Sequence, residues 1–364
     1  MEKIMKAVKS GNKKRGRNIT VGAVVGMLLS CTVAMGADVS GLEITKEGDT
    51  IIFKDKDGTE FEPGNDKEDT QKDPYLENIW DEKSKTYTNN SIISRENSDG
   101  DTYGVKLSGD LSEVSFVNNG TIAGTSSGSS GNGYGIYSDN GTSIGILINN
   151  GSIIGTSSGS SGNGYGIRWY SSSGYDTVET LTNNGTIIGT TNSNYGSGIK
   201  CEDVSIIKLE NNGTIIGINT GSKGFYSSGI YTAMVGGSGI TMGILTNNGI
   251  IIGTSTKTES SGIYNYGGYI ITTLTNTGVI YGKTSAIVND SEGEKISNAY
   301  NYGLLISGDD SKDTVSNVAT LTDSNNLGLI FKDVDGKYTA TDDDFKKFGT
   351  TTVNADVVVG IDES

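Results

Sequence analysis

The chain has 364 residues and a net charge of −15, with 54 Gly, 2 Pro, 2 Cys and no His. High Gly with so little Pro excludes collagen, and the absence of His removes the commonest general base and zinc ligand. An acidic chain is also a poor nucleic-acid binder, because phosphates must be neutralised by Lys and Arg.

Residues 1–36 are typical of a secretion signal. A basic region of seven Lys and Arg residues precedes the apolar stretch Ile19–Ala34, which is short for a membrane span. Ala34 and Gly36 supply the small residues that a signal peptidase prefers. Because these 36 residues carry +6 and the whole chain carries −15, the remainder carries −21.

The two cysteines bear on processing and on redox chemistry. Leu28–Cys31 loosely resembles a lipobox, so the alternative to cleavage before Ala37 is a chain that is lipid-modified at Cys31. Cleavage before Ala37 leaves Cys201 as the one remaining cysteine, which excludes an intrachain disulfide. We expect Cys201 to be a packed thiol.

Residues 37–88 predict an N-terminal β meander, or cap, followed by a polar linker. Leu42–Ile44, Thr50–Phe53 and Thr59–Phe61 are short apolar runs separated by turn residues. Both prolines lie in the charged stretch 63–88. We therefore expect a small structured cap ahead of the central region.

An internal repeat of about 30 residues governs the central region, residues 89–330. Its core element is Asn-Asn-Gly-x-Ile-x-Gly, and a second element, Tyr/Ser-Gly-Ile, lies between its copies. A third, apolar element leads into each Asn-Asn-Gly. Each repeat therefore offers three short strands, and Gly/Ser runs such as Thr125–Gly133 are expected to be loops at one edge.

Three short strands in each repeat predict an all-β fold, a right-handed parallel β-helix (solenoid) of about eight coils. Stacked at about 4.8 Å per coil, eight coils make a rod of roughly 40 Å. A sandwich does not require a repeat of this length, and a propeller needs four strands per blade. Residues 331–364 are expected to form an acidic tail or a partial coil.

One isoleucine of the core element is the same in every clear copy, whereas its two neighbours vary. Alternate residues of a strand face opposite sides, so this isoleucine is expected to point inward and form a core stack. The predicted core stack is Ile122, Ile153, Ile187, Ile215 and Ile251.

The first asparagine of each clear copy is expected to form a structural ladder. Its amide can pass a hydrogen bond to the next coil, and Asn and Gly tolerate positive φ at tight corners. The alternative is a surface turn in which Asn-Gly serves geometry alone. The predicted ladder residues are Asn118, Asn149, Asn183, Asn211 and Asn247, with weaker copies at Asn89, Asn276 and Asn301.

Two regions resemble known bacterial surface proteins. Leu29–Asp38, followed by Gly41–Ile44, resembles the N-terminal region of fusobacterial-type autotransporter-associated proteins. The Asn-Asn-Gly-x-Ile-x-Gly coils resemble autotransporter passenger domains. The resemblance implies an exported passenger at the cell surface or outer membrane. The tail after Phe331 lacks the strands of a translocating barrel. Three expectations follow: the chain is a truncated gene product, it depends on a separate outer-membrane barrel for delivery, or it stops in the periplasm.

We expect a structural or adhesive role without catalysis, cofactor or metal. The expected partner is a host or cell-surface glycan or protein, and nucleic acid is excluded. Tyr137, Tyr231 and Tyr264 follow the Gly-Ile element and are a candidate exposed aromatic stripe, which either stacks on a partner or shields the rod.

Three alternatives remain open. The first is a polysaccharide-cleaving β-helix enzyme, which needs converging carboxylates. However, Asp139, Asp176 and Asp203 do not occupy matching positions of the repeat. The second is a periplasmic or lipid-anchored repeat protein. The third is a disordered chain whose Ile-rich segments aggregate as cross-β.

Overall fold

The structure, a computed structural model, describes residues 41–55, 57–63, 77–98, 100–138, 140–172, 176–221, 226–235, 239–290, 296–309, 311–322, 324–334 and 337–339. The predicted signal and most of the predicted acidic tail lie outside these residues.

The described residues form thirty β-strands. In chain order they are β1 (Leu42–Glu47), β2 (Thr50–Lys54), β3 (Glu60–Phe61), β4 (Ile79–Asp81), β5 (Thr86–Asn89), β6 (Ile92–Asn97), β7 (Thr102–Ser108), β8 (Asp110–Asn118), β9 (Thr121–Ser126), β10 (Gly133–Ser138), β11 (Ser143–Asn149), β12 (Ser152–Ser157), β13 (Gly164–Tyr170), β14 (Thr177–Asn183), β15 (Thr186–Thr191), β16 (Gly196–Glu202), β17 (Ser205–Asn211), β18 (Thr214–Asn219), β19 (Ser227–Ala233), β20 (Thr241–Asn247), β21 (Ile250–Ser255), β22 (Ser260–Tyr266), β23 (Ile270–Asn276), β24 (Val279–Gly282), β25 (Ser285–Asp290), β26 (Ile296–Asn301), β27 (Leu304–Ser307), β28 (Val315–Ser316), β29 (Leu329–Val334) and β30 (Lys337–Thr339).

The strands build three sheets, which we call faces 1, 2 and 3 in the order in which the chain crosses them within a coil. Face 1 contains β5, β8, β11 and every third strand to β26. Face 2 contains β6, β9 and every third strand to β27, and face 3 contains β7, β10 and every third strand to β28. Within each face, strands of successive coils pair in parallel. Strands β5 to β28 form eight triplets, and therefore seven steps from coil to coil. The prediction of a parallel β-helix is confirmed.

The core runs along the inside of the three faces. In the coil formed by β11, β12 and β13, Ile144 and Leu147 point inward from face 1, Ile153 from face 2 and Ile167 from face 3. All four side chains are fully buried. β-Branched residues favour strands, and burying one such side chain contributes about 1.5–3 kcal/mol, so every coil adds its own apolar layer.

Faces 2 and 3 continue beyond this core and pack against each other as a thin two-layered flange. A Cβ atom on Gly155 would lie 1.7 Å from the carbonyl oxygen of Tyr165, and one on Gly164 would lie 1.8 Å from that of Thr190. Only glycine permits this approach of two backbones. On face 2 the glycine recurs in register at Gly124, Gly155, Gly189, Gly217, Gly253 and Gly282.

Small polar side chains close the outer end of the flange. The Ser157 hydroxyl donates to the carbonyl oxygen of Gly131 at 2.8 Å, and Thr191 donates to Gly162 at the same distance. The backbone N–H of Ser158 donates to the Ser126 carbonyl oxygen at 2.9 Å. The Gly/Ser runs are therefore not simple loops, since they include strand ends and turns that are hydrogen-bonded from coil to coil.

The N-terminal end of the core is covered by antiparallel strands and aromatic rings. Strands β2 and β3 extend face 3 beyond β1, and β4 extends face 1 beyond β5. Phe53 contacts Trp80 at a centroid distance of 5.1 Å and stacks on Tyr87 at 5.3 Å; Tyr87 stacks in turn on Phe116 at 5.5 Å. Such a cap shields the apolar end of a solenoid from water.

Candidate functional site

The predicted ladder residues form a continuous buried row at the corner between faces 1 and 2. The Nδ2 group of Asn118 donates to Oδ1 of Asn149 at 2.7 Å, and Asn149 donates to Asn183 at 2.8 Å. The row continues through Asn211 at 2.8 Å and Asn247 at 2.7 Å. All five side chains are fully buried, and each amide finds its partners in the adjacent coils.

The row extends beyond these five residues in both directions. Asn89 donates to Asn118 at 2.7 Å, and three further steps of 2.8 Å lead from Asn247 through Asn276 and Asn301 to Asn326. The copy at Asn326, which reads Asn-Leu-Gly-Leu-Ile, was not predicted from the sequence.

Close contact between coils, and not positive φ, explains the glycine of Asn-Asn-Gly. Among the described non-glycine residues, positive φ occurs at Lys85, Asp203 and Asn317, none of which belongs to the ladder. A Cβ atom on Gly151 would lie 1.9 Å from the carbonyl oxygen of Gly120 in the preceding coil. The expectation of positive φ at these corners is therefore wrong.

A second ladder of exposed asparagines runs beside the first in the opposite direction. Asn150 donates to Asn119 at 2.9 Å, and Asn184 donates to Asn150 at 2.9 Å. In this outer ladder the donor lies in the later coil, whereas in the inner ladder it lies in the earlier coil. The two rows of amide dipoles therefore oppose each other along the axis of the rod.

The five isoleucines of the predicted core stack lie in register on face 2, one in each of five successive coils. Each of them is fully buried. The stacked residues are Ile122, Ile153, Ile187, Ile215 and Ile251.

The outward position after each Gly-Ile on face 3 carries the most distinctive surface chemistry of the described residues. Register pairing aligns Tyr137 with Arg168, Lys200, Tyr231 and Tyr264 along the rod. Two cations therefore interrupt the predicted aromatic stripe. We call Arg168, Lys200, Glu202 and the tyrosines around them the face 3 cluster; these tyrosines are Tyr134, Tyr137, Tyr165, Tyr170, Tyr195 and Tyr231.

Tyrosine rings surround the guanidinium group of Arg168. Its Cζ atom lies 5.1 Å from the ring centroid of Tyr170, 5.9 Å from that of Tyr165 and 6.0 Å from that of Tyr137. Ring quadrupoles attract a cation at such distances. The rings therefore stabilise a charge that neighbouring side chains largely shield from water.

Lys200 is enclosed in the same way in the next coil. Its Nζ atom lies 5.2 Å from the ring centroids of Tyr165, Tyr195 and Tyr231. The residue is only 8% exposed. Tyr165 thus contacts both cations and links the two coils.

One carboxylate serves both cations. Glu202 accepts a hydrogen bond from Nη2 of Arg168 at 2.8 Å and forms an ion pair with Lys200 at 3.0 Å. Longer hydrogen bonds join Arg168 Nη1 to the Tyr134 hydroxyl at 3.5 Å and Lys200 Nζ to the Tyr165 hydroxyl at 3.4 Å. Glu202 is therefore the centre of the polar network.

Burial and charge act on these groups in opposite directions. Burial lowers the pKa of Lys200, and the like charge of Arg168 adds to this effect, while Glu202 opposes it. Burial alone would raise the pKa of Glu202, but the charges of Lys200 and Arg168 outweigh it and hold this pKa below its usual value. Glu202 therefore stays ionised near neutral pH.

The ring faces of the tyrosines are turned toward one another. Tyr231 and Tyr264 have centroids 5.5 Å apart and an interplanar angle of 7°, and Tyr134 and Tyr165 are 5.8 Å apart at 22°. Near-parallel rings at these distances overlap, so their faces meet each other and not the solvent. Tyr264 is also buried. The ring faces are therefore used within the protein, which favours the alternative that these tyrosines shield the rod.

The two carboxylates considered for catalysis that the structure describes are both engaged by backbone N–H groups. Asp176 is buried, and its Oδ2 atom accepts the backbone N–H of Gly141 at 2.9 Å. Asp203 is buried as well and accepts the N–H of Val235 at 2.8 Å. Asp139 lies outside the described residues. The two described carboxylates thus hold turns between faces 3 and 1.

Two further features concern metal ions and membranes. Within the described ranges, no group of three or more His, Cys, Asp or Glu residues is arranged to hold a metal ion. No helix in the same part of the chain has the length and apolar character needed to cross a membrane.

Cys201 is fully buried as a free thiol in the core. Its burial raises the pKa of the thiol, with a smaller contribution from Glu202, so the reactive thiolate is disfavoured.

The site formed by Arg168, Lys200 and Glu202 was not predicted from the sequence. The signal was present, because Arg168 and Lys200 follow Gly-Ile as Tyr137 does. Arg168 and Lys200 become neighbours only through the pairing of successive coils. Because the coils differ in length, the sequence alone does not show which residues lie beside one another.

Comparisons with protein-family models, with curated proteins and with solved structures found no match.

Proposed function

We propose that the chain is an exported, passenger-type surface protein with a structural or adhesive role and without catalysis. The observation that supports this most strongly is the inner asparagine ladder, which runs from Asn89 to Asn326 through every coil without a break. A chain that keeps one register from Asn89 to Asn326 is suited to act as a stiff spacer or as a repeated binding surface.

The distribution of side chains favours binding of a partner over hydrolysis of a polysaccharide. In the flange the backbones approach too closely for any side chain larger than glycine at positions such as Gly155. Asp176 and Asp203 are engaged with backbone N–H groups. Glycosidase chemistry needs two carboxyl groups on either side of a sugar bond. The outward column of face 3 instead presents the cations Arg168 and Lys200, with tyrosine hydroxyls around them, to a partner.

The proposed partner is a host or cell-surface glycan or protein, and the proposed location is the cell surface or outer membrane. Delivery would use the predicted signal, residues 1–36, and then a separate outer-membrane barrel. This part of the proposal rests on the resemblance to autotransporter passengers, because no described residue bears on export.

The proposal is tested by adhesion of coated particles. Beads that carry residues 37–364 are incubated with a panel of host cells and bacterial cells, and bound beads are counted against beads coated with an inert protein. We expect binding that is lost when the protein is unfolded before coating. Equal binding of folded and unfolded coats would contradict the proposal. Release of reducing sugars from polysaccharides in the same experiment would instead establish the alternative, a polysaccharide-cleaving enzyme.

A further inference from the structure

We propose that the face 3 cluster binds a carboxylate-bearing saccharide through Arg168 and Lys200. This inference rests on the proposed adhesive function and names the class of ligand for that function.

The cluster holds more positive than negative charge in direct contact. Arg168 and Lys200 share the single carboxylate of Glu202, at 2.8 and 3.0 Å. On face 1, by contrast, Lys208 forms a balanced pair with Glu210 at 2.9 Å. The face 3 cluster therefore has one excess cation, in a chain whose net charge is −15. A bound carboxylate would balance that charge.

The nearest further acid does not remove the excess. Asp101 is exposed, and its Oδ2 atom accepts the Tyr134 hydroxyl at 3.3 Å. It reaches Arg168 only through this tyrosine and also accepts the backbone N–H of Asn132 at 2.9 Å. Solvent screens an exposed acid, so it offsets the buried cations only weakly.

Both cations retain hydrogen-bond donors for a ligand. A guanidinium group has five N–H donors; Arg168 uses two of them in hydrogen bonds through its Nη atoms, and its Nε group is buried, so two Nη–H donors remain for a ligand. An ammonium group has three donors, and Lys200 makes two hydrogen bonds, at 3.0 Å to Glu202 and at 3.4 Å to Tyr165. Part of each side chain remains open to solvent, 21% for Arg168 and 10% for Lys200.

The surrounding hydroxyls add neutral polar groups. Burial is the main cause that raises the pKa of Tyr134, Tyr165 and Tyr231, so their hydroxyls stay protonated at physiological pH. Tyr170 and Tyr195 are partly exposed beside the two cations. Sugar hydroxyls can therefore exchange hydrogen bonds with phenols around the charged centre.

Charge and hydrogen bonds, and not stacking, would select this ligand. The ring faces of Tyr165 are already occupied by Tyr134 and by the two cations. A neutral sugar, which binds aromatic surfaces through its apolar face, therefore finds little free ring surface here. A planar carboxylate matches the fork of a guanidinium group, which is why we name carboxylates and not sulfates.

The test measures binding of the folded chain, residues 37–364, to three polymers with one backbone. Plain dextran is neutral, carboxymethyl dextran carries carboxylates and dextran sulfate carries sulfates. We expect carboxymethyl dextran to bind most tightly. Arg168→Ala and Lys200→Ala should each weaken this binding about ten-fold, because each removes a charged hydrogen-bond donor.

Lys208→Ala provides the matched control. Lys208, like Lys200, forms an ion pair with the glutamate two residues further along its strand, but it lies on face 1. It should change binding less than two-fold. Arg168→Lys keeps the charge but loses the fork, and it should lower the preference for carboxymethyl dextran over dextran sulfate. Circular dichroism of each variant establishes that the coil stack is retained.

Three results would overturn the inference: no binding of the wild-type chain to either anionic polymer, tighter binding to dextran sulfate, or equal losses in Lys200→Ala and Lys208→Ala. The adhesion assay separates this failure from that of the proposed function. Beads that adhere but are not displaced by carboxymethyl dextran refute the ligand alone. Beads that do not adhere, although the soluble chain binds carboxymethyl dextran, refute the adhesive role.

Discussion

Asn183 lies in the middle of the inner ladder, where its side-chain amide both accepts and donates. Its Oδ1 atom accepts from Asn149 at 2.8 Å, and its Nδ2 group donates to Asn211 at 2.8 Å. The neighbouring Asn184 makes the same two asparagine-to-asparagine bonds in the exposed outer ladder, whereas Asn183 also donates to the carbonyl oxygens of Gly185 and Thr214. The two residues thus compare a buried ladder position with an exposed one.

Asn183→Ala should lower the free energy of unfolding by about 2–4 kcal/mol, because the Oδ1 atom of Asn211 is left buried without its amide donor. Urea unfolding followed by circular dichroism gives the value. Asn184→Ala serves as the control and should lower it by less than about 1 kcal/mol, since water replaces the lost bonds. Equal effects of the two substitutions would refute a stabilising role specific to the inner ladder.

At the scale of the elements, faces 2 and 3 differ in how they meet. Near the core they are separated by Ile187 and Ile199, and in the flange their backbones almost touch. The flange needs glycine on face 2 and small residues on face 3. This requirement explains why so much of the repeat is Gly and Ser.

Gly189→Ala should lower the free energy of unfolding by about 3 kcal/mol or more, or prevent folding, because the new Cβ atom would lie 1.8 Å from the carbonyl oxygen of Ser197. Thermal unfolding measures the effect. The adjacent Thr190 is half-buried and its hydroxyl makes no hydrogen bond, so Thr190→Ala removes no bond, is the control and should change stability little. Unchanged stability of Gly189→Ala would mean that the two layers lie further apart than described.

The tyrosines of face 3 predict a loss of stability at alkaline pH. Burial is the main cause that raises the pKa of Tyr134, Tyr165, Tyr231 and Tyr264 in the folded chain. A raised pKa contributes stability that is complete below the unfolded value of about 10 and is lost as pH rises above it. Lys200, whose pKa is lowered, has the opposite sign but is a single group.

We therefore expect the phenolate absorbance of these buried tyrosines and loss of the β signal in circular dichroism to appear in one transition above about pH 10. Tyr231→Phe should shift this transition to higher pH, because it removes one phenol that ionises on unfolding. Ionisation of all the tyrosines, including the buried ones, while the dichroism stays unchanged would contradict the buried stack.

The sequence was sufficient to predict the stacked residues whose role is evident within a single repeat. Ile122 and Asn118 belong to the most regular element of the repeat. The place of Ile122 in the strand alternation indicates the core, and the place of Asn118 before the glycine indicates a corner, without knowledge of the partner strand. The flange glycines and the pairing of Arg168 with Lys200 depend on contact between faces and between coils. Because the loops differ in length, these contacts follow only from the three-dimensional register.

At the scale of the whole molecule, the chain is a stack in which each coil rests on its neighbours. The ends of such a stack need protection, which Phe53 and Trp80 supply at the N-terminal end. Between the ends, one coil is interchangeable with another. The identical blocks Gly124–Gly135 and Gly155–Gly166 are direct signs of this modularity.

Deletion of residues 124–154 removes one coil and joins Ala123 to Gly155, which restores the Ile-x-Gly order of face 2. The shortened chain should fold cooperatively, with a rod shorter by about 4.8 Å in small-angle scattering. Deletion of residues 124–138 removes roughly half a coil and should abolish folding, since it places face 1 where face 3 belongs. Failure of both deletions alike would contradict a stack of interchangeable coils.

The central claim, an exported rod that acts at the cell surface, is tested most directly by the location and N-terminus of the chain in its source organism. Intact cells are treated with protease, and the N-terminus of the chain from untreated cells is sequenced. We predict a chain that begins at Ala37 and is degraded on intact cells. A chain that begins at Met1, or is degraded only after the cells are lysed, would contradict the claim.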